Sequence, residues 1–139
     1  MVFSTRTREP LIQTQIEGEL YRYMGGIIKG EGGVLIQIGG MPDHVHIVLK
    51  LKPIHRLSDM MQKIKGNSSK WINDQNKLPS KFRWQDGYGA FTVSESQVPT
   101  VVKYVKDQKK HHGKLSFQDE FIQILKRHKV EYNEQYLWA

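Results

Sequence analysis

Residues 34–50 read VLIQIGGMPDHVHIVLK, two apolar runs joined by the turn sequence GGMPD. Apolar runs of strand length on either side of glycine, proline and aspartate predict a β-hairpin. Side chains alternate along a strand, so Val45 and Ile47 share one face of the second strand, whereas His44 and His46 share the other. The first face is typical of a core. The two imidazoles, about 6.5 Å apart between Cα atoms, are close enough to turn onto one metal ion.

The segments around this hairpin predict a complete β-α-β-β-α-β order. Residues 2–5 and 89–93 have strand character, and helical spacing of apolar residues follows Pro10 and Ser58. Two more helices are indicated after this unit, one opened by Pro99 and one by Ser116, which forms a capping-box pattern with Asp119. The order predicts an α+β, ferredoxin-like (RRM-like) split βαβ fold with an antiparallel sheet and additional C-terminal helices.

Length and composition restrict the class of protein. The chain has 139 residues, is 38% hydrophobic and contains no cysteine, which predicts a single domain over residues 1–139 without disulfides or thiolate zinc sites. No apolar run approaches the roughly 18 residues of a membrane span, and the N-terminus lacks the apolar core of a signal peptide. We therefore expect a cytoplasmic protein with no membrane partner.

The charge balance points to polyanionic partners. Lysine and arginine outnumber the acidic residues 21 to 14, which gives a net charge of +7 and favours nucleic acid as strongly as it favours a generic basic protein. The segment KIKGNSSKW, residues 63–71, combines cations with one aromatic residue, which fits either a DNA-binding surface or a solvated helix with Trp71 in the core. The candidate DNA contacts are Lys63, Lys65, Lys70, Lys103 and Lys106.

The helix after Pro99 carries a second candidate group. Tyr104 and Gln108 are four residues apart and should lie one above the other on the helix. Alone, a half-buried tyrosine and a solvated glutamine would be unremarkable. Together with His44 and His46 they form a coherent set, because two imidazoles and an amide oxygen make an open metal site and a tyrosine can attack a polarised phosphorus.

Several blocks of the sequence are similar to one known family. The stretches GGMPDHVHIVLKLKP, WQDGYGAFTVSESQV, YVKDQKKHHGKLSFQDEF and YLWA resemble the single-tyrosine HUH transposases of small bacterial insertion sequences, and the similarity extends over residues 2–138. The resemblance implies that His44 and His46 are metal-binding histidines. It also implies that Tyr104 is the catalytic tyrosine and that Gln108 is the third, polar ligand.

The sequence therefore predicts a DNA transposase that cleaves and rejoins single-stranded DNA at insertion-sequence ends through a 5′-phosphotyrosine. The resemblance further implies Mg²⁺ as the ion, with Mn²⁺ as an alternative, recognition of DNA hairpins, and a homodimer with shared active sites. Two alternatives stay open. One is a non-catalytic ferredoxin-like nucleic-acid-binding module, and the other is a domesticated relative that acts on chromosomal repeat hairpins.

Overall fold

The computed structural model describes residues 1–111 and 116–127. Two short 3-10 turns, Arg6–Arg8 and Glu95–Gln97, connect its larger elements. In the described part of the chain, no helix is both long enough and apolar enough to cross a membrane. The strands and helices are β1 (Val2–Ser4), α1 (Thr14–Gly30), β2 (Val34–Met41), β3 (His44–Lys50), α2 (Leu57–Asp74), α3 (Val98–Lys106), α4 (Gln108–His111) and α5 (Phe117–Arg127).

The predicted hairpin forms the middle of the molecule. Strands β2 and β3 pair antiparallel, and β3 also pairs antiparallel with β1, so the order in the sheet is β1-β3-β2. Glycine is required near the turn, because a Cβ on Gly40 would come within 2.2 Å of the carbonyl oxygen of His44. The histidine strand is thus the central strand, with a neighbour on each side.

The Val45 and Ile47 face of the sheet carries the main core. In α1, buried Ile16, Leu20, Met24 and Ile28 repeat every four residues and form one apolar stripe. Helix α2 adds its own apolar residues to this layer. The buried members of the core cluster are Phe3, Ile12, Leu20, Met24, Ile28, Val45, Ile47, Met60, Met61, Ile64, Ile72, Phe82 and Trp84.

The histidine face of the sheet is covered by the C-terminal helices. Helix α3 packs against β2 and β3, and it approaches so closely that a Cβ on Gly39 would lie 2.3 Å from the carbonyl oxygen of Val105. Helix α5 contributes Phe121 and Leu125, which form a small apolar cluster with Val2 of β1. The sheet is therefore enclosed on both faces, by different sets of helices.

The α+β fold with an antiparallel sheet and C-terminal helices is confirmed, but the predicted fourth strand at residues 89–93 is wrong. Of the predicted strand only Gly89 bridges β1, through Val2, and the earlier residue Trp84 makes a second isolated bridge with Thr5. Between these bridges the Gln85 side chain accepts a hydrogen bond from the Ser4 backbone N–H at 2.7 Å. A side chain thus accepts the hydrogen bond that a backbone carbonyl would accept in a continuous β-ladder.

Helix boundaries differ from the predictions where backbone groups have other partners. The first helix begins at Thr14 rather than near Pro10, because the Ile12 N–H donates to the Pro42 carbonyl at 2.8 Å and ties this segment to the hairpin turn. Ser58 does not cap α2, which begins one residue earlier without a side-chain cap. The Ser116 cap is confirmed, because its Oγ accepts from the Asp119 N–H at 3.2 Å.

Candidate active site

The two histidines lie side by side at the start of the central strand. His44 has 0% and His46 has 6% of its surface exposed, and their ring centroids are 5.2 Å apart. Flanking strands pair with both residues, so the backbone that carries the rings is held on two sides. The sheet therefore presents a rigid pair of nitrogen donors to the layer formed by α3–α5.

Asp43 and Gln108 orient the His44 ring. Its Nδ1 lies 2.7 Å from Asp43 Oδ1, and its Nε2 lies 3.2 Å from Gln108 Oε1. The amide nitrogen of Gln108 faces the Tyr104 carbonyl at 3.4 Å, which turns the amide oxygen toward the histidine. When Nδ1 donates its proton to Asp43, the lone pairs of His44 Nε2 and Gln108 Oε1 face each other. A cation between them, either a proton or a metal ion, satisfies both.

The environment of His46 favours its neutral form. Burial is the largest effect and lowers the pKa of His46, while the hydrogen bond and the charge of Glu120 act in the opposite direction. A neutral imidazole is the form that binds metal ions. His46 Nε2 lies 3.2 Å from Glu120 Oε1, so this ring also faces a carboxylate.

Helix α3 brings Tyr104 beside the histidines of the same chain. Its ring centroid is 5.7 Å from that of His46, with the rings perpendicular, and its hydroxyl donates to Glu120 Oε1. The predicted single helix through Tyr104 and Gln108 is interrupted at Asp107, which ends α3 with φ −94° and ψ 18°. Gln108 starts α4, but it remains close enough for the amide contact with Tyr104.

Glu120 is the member of this group that the sequence analysis missed. It lies on α5, the residue is 4% exposed, and its Oε2 lies 3.8 Å from His44 Nε2. The signal was present in the helical pattern, because Glu120 is four residues before Ile124 and next to Phe121 on the inward side of α5. An acidic residue at an inward-facing position of an amphipathic helix is a candidate ligand or ion-pair partner.

The assembled donors fit a divalent metal ion. His44, His46 and Glu120 each offer a ligand atom, and these atoms lie within 4.8 Å of one another in a buried group. Imidazole nitrogens with carboxylate and amide oxygens suit Mn²⁺ and related ions, and oxygen donors suit Mg²⁺. The site could therefore hold a metal ion through the predicted histidines, with Glu120 beside Gln108 as a further donor.

The five candidate DNA-binding lysines lie on two sides of the sheet. Lys103 and Lys106 are exposed on α3, on the histidine side, and Lys106 lines a cavity of about 290 Å³ that also includes Gln108. Lys63, Lys65 and Lys70 lie on α2, on the opposite side.

Two of the three α2 lysines have partners within the protein. Lys63 pairs with Glu31 at 2.8 Å, and Lys65 donates to the carbonyls of Asp86 and Gly87. In the same helix Trp71 stacks on Tyr23, with ring centroids 5.0 Å apart, and it packs against the core. The α2 segment therefore has a structural role in addition to any contact with DNA.

Comparisons with known proteins agree on one family. The family model described as "Transposase IS200 like" matches residues 1–108. The ISDra2 transposase TnpA of Deinococcus radiodurans is 25% identical over 113 residues, which cover 78% of this chain and 81% of that protein. A crystal structure titled as a transposase from Deinococcus radiodurans superimposes with a TM-score of 0.62 and 25% identity, covering 77% of this chain and 86% of that chain.

The family match spans both histidines, Tyr104 and Gln108, and it ends before α5. It includes all of the sheet together with α1, α2 and α3, but only the first residue of α4 and none of α5. The chain therefore belongs to the IS200-like transposase family.

Proposed function

We propose that this transposase cleaves and rejoins single-stranded DNA with Tyr104 as the nucleophile. The observation that carries the proposal is the contact between Tyr104 and the buried histidine pair, with the ring centroid of Tyr104 5.7 Å from that of His46. A half-buried tyrosine that serves only as packing has no need for a histidine beside its ring and a buried carboxylate that accepts from its hydroxyl. A nucleophile in phosphoryl transfer does need such polar neighbours.

The reaction would exchange one phosphoester for another. The Tyr104 oxygen attacks the scissile phosphorus, a P–O(Tyr) bond forms, and the bond to the 3′ oxygen breaks. The products are a 5′-phosphotyrosine and a free 3′-hydroxyl, and the proton lost by Tyr104 balances the proton gained by the 3′ oxygen. Attack by a 3′-hydroxyl on the phosphotyrosine reverses the step and joins two strands without a nucleotide cofactor.

The chain supplies a site for a divalent ion next to this tyrosine. We propose His44, His46 and Gln108 as ligands, and the contacts of Glu120 support its participation as well. An ion bound there would polarise the phosphate and stabilise the charge that develops on its oxygens. Mg²⁺ is the expected ion. Mn²⁺ is the alternative, because histidine nitrogens suit Mn²⁺ better than Mg²⁺.

The resemblance to HUH transposases also implies a DNA substrate and an assembly. We propose hairpins at the element ends as the recognised DNA, with Lys63, Lys65, Lys70, Lys103 and Lys106 as candidate phosphate contacts. We also propose a single domain over residues 1–139 and a homodimer in which α3 of each copy makes the contacts described above for Tyr104 at the site of the other copy. A non-catalytic DNA-binding module and a domesticated relative with the same chemistry are the competing proposals.

A covalent-adduct experiment tests the nucleophile. Labelled single strands from the DNA on either side of the coding sequence are incubated with the protein and Mg²⁺ or Mn²⁺, and the products are separated under denaturing conditions. We expect an adduct with the native protein and none with Tyr104→Phe, because that variant lacks only the attacking oxygen.

The control for this experiment is Tyr23→Phe, which also removes one hydroxyl but from a ring stacked on Trp71 away from the histidines. It should form the adduct normally. DNA binding without an adduct in the native protein would favour the non-catalytic module. An undiminished adduct in Tyr104→Phe would show that another residue is the nucleophile.

A further inference from the structure

Helix α5 adds to the histidine site a carboxylate that lies beyond the family match. That match ends at residue 108, and Glu120 is buried at 4% exposure. Burying a carboxylate is costly unless it is paired, so its position requires a compensating role. The neighbouring Phe121 and Leu125 hold α5 against Val2, which fixes where the carboxylate lies.

The carboxylate of Glu120 contacts every residue assigned above to the nucleophile and the ligands. Its Oε1 accepts from the Tyr104 hydroxyl and lies 3.2 Å from His46 Nε2. The same oxygen faces Gln108 Nε2 at 3.4 Å, and Oε2 lies 3.8 Å from His44 Nε2. One side chain thus connects the donor atoms of the strand with the reactive atom of α3.

We infer that Glu120 is a positioning residue that couples the metal site to the nucleophile, by adding negative charge to the donor set while holding the Tyr104 hydroxyl. This inference rests on the function proposed above and deepens it. It assigns part of the active centre to α5, outside the span that defines the family match.

The charge of the donor set explains the first half of this role. Two neutral imidazoles and one amide carry no net charge, and a divalent ion in a buried site is poorly compensated by neutral donors alone. Glu120 supplies one negative charge at the same place. It should therefore contribute more to metal affinity than the neutral Gln108.

The second half of the role, holding the Tyr104 hydroxyl, follows from the mobility of a tyrosine side chain. Tyr104 is half-buried, so packing alone leaves its hydroxyl some freedom, and misplacement of a reacting atom by about 1 Å can cost on the order of 100-fold in rate. A hydrogen bond to a carboxylate is stronger than one to a neutral group. The carboxylate therefore holds the hydroxyl beside the same histidines that would bind the ion.

The test compares Glu120→Gln with Asp119→Asn, an adjacent and exposed position on α5 where the same change of charge is made. Mn²⁺ binding is measured by electron paramagnetic resonance without DNA, and adduct formation is measured at saturating DNA. In Glu120→Gln we expect Mn²⁺ affinity to fall about tenfold or more and adduct formation to slow by a similar factor. DNA affinity should not change, and Asp119→Asn should behave as the native protein.

A shorter acid separates the two halves of the role. Glu120→Asp keeps the charge but withdraws the carboxylate from Tyr104, so Mn²⁺ affinity should fall less than in Glu120→Gln while adduct formation stays slow. Native Mn²⁺ affinity and a native rate in Glu120→Gln would overturn the inference. If that variant does not fold, a native rate in Glu120→Asp would overturn it, and a slow rate with retained Mn²⁺ binding would support it.

The two measurements distinguish a failure of this inference from a failure of the proposed function. If the native protein forms no adduct, the proposed function fails, but the Mn²⁺ measurement on the protein alone still decides whether Glu120 belongs to the metal site. If the native protein forms the adduct and Glu120→Gln equals it in both measurements, only the role of Glu120 is refuted.

Discussion

The two faces of strand β3 use the same backbone for opposite purposes. On one face Val45 and Ile47 are packed in a layer of aliphatic and aromatic residues from α1 and α2. On the other face His44 and His46 are also buried, but their neighbours are an amide, a carboxylate and a tyrosine ring. Alternation along a single strand thus separates an apolar core from a polar cluster within about 10 Å.

The difference shows where the fold can tolerate polar burial. A buried polar side chain contributes little stability even when hydrogen-bonded, and it becomes costly when a partner is lost. The apolar layer, together with the small cluster of Val2, Phe121 and Leu125, provides the burial that stabilises the sheet. The polar face is supported by that stability and is free to present its donors to a ligand.

Substitutions of neighbouring residues on β3 should separate the two roles, and this is the largest effect we expect. His46→Ala removes a donor from the proposed metal site, so Mn²⁺ binding should be lost and cleavage should fall by at least about 100-fold, since even changes outside the ligand set cost 10–100-fold. Ile47→Ala should instead lower the free energy of unfolding by about 2–5 kcal/mol. Chemical denaturation and single-turnover cleavage, normalised to folded protein, measure both.

If Ile47→Ala stayed folded but lost as much cleavage activity as His46→Ala, the two faces would not have separate roles. Metal-independent cleavage would contradict the role of His46 in a different way. Native protein that cleaves equally well in excess EDTA would show that the histidines act without an ion.

How far the sequence predicted the structure also differs between the faces. The apolar face followed from periodicity alone, because Leu20, Met24 and Ile28 repeat at helical spacing and Val45 and Ile47 alternate along a strand. The elements on that face formed within a few residues of their predicted bounds. Their small errors, such as the start of α1, arose where a backbone N–H found a distant partner in the hairpin turn.

The polar face was only partly predictable. Periodicity placed His44 and His46 together on a strand and Tyr104 and Gln108 together on a helix. Their chemistry suggested one set, and the resemblance to HUH transposases implied the role of each residue. Glu120 was missed because its position depends on how α5 docks against β1. The fourth strand was wrong because Gly89 pairs antiparallel with Val2, the first residue of β1, so the residues after Gly89 run past the end of that strand.

A mixing experiment tests whether the polar face is completed by one chain or by two. In this chain Tyr104 lies against its own histidines, but α3 buries only Val105 fully, and an α3 from a second copy could make the same contacts. We therefore expect two inactive variants, Tyr104→Phe and His46→Ala, to regain cleavage when their subunits exchange. Random exchange makes about half of the dimers mixed, each with one complete site, so activity should reach about a quarter of the native value.

The control is a single chain that carries both substitutions, Tyr104→Phe and His46→Ala, taken through the same exchange procedure. It should stay inactive. Absence of cleavage in a mixture whose mixed dimers have been demonstrated would mean that each copy uses its own tyrosine, as in the arrangement of the single chain.

The smallest effect should come from lysines on the two sides of the sheet. Replacing Lys103 and Lys106 by alanine removes two cations from the histidine side, and each phosphate contact contributes about 0.7 to the salt dependence of single-strand binding. If both are contacts, the slope of log affinity against log salt should become shallower by about 1.4. The matched change on α2 replaces Lys63 and Lys70, of which Lys63 already pairs with Glu31. We expect a smaller change there, because a paired lysine must give up its carboxylate before it can bind phosphate.

Equal changes for the two pairs would mean that the DNA also contacts the α2 side. The division between a stabilising face and a functional face would then hold for the interior but not for the surface.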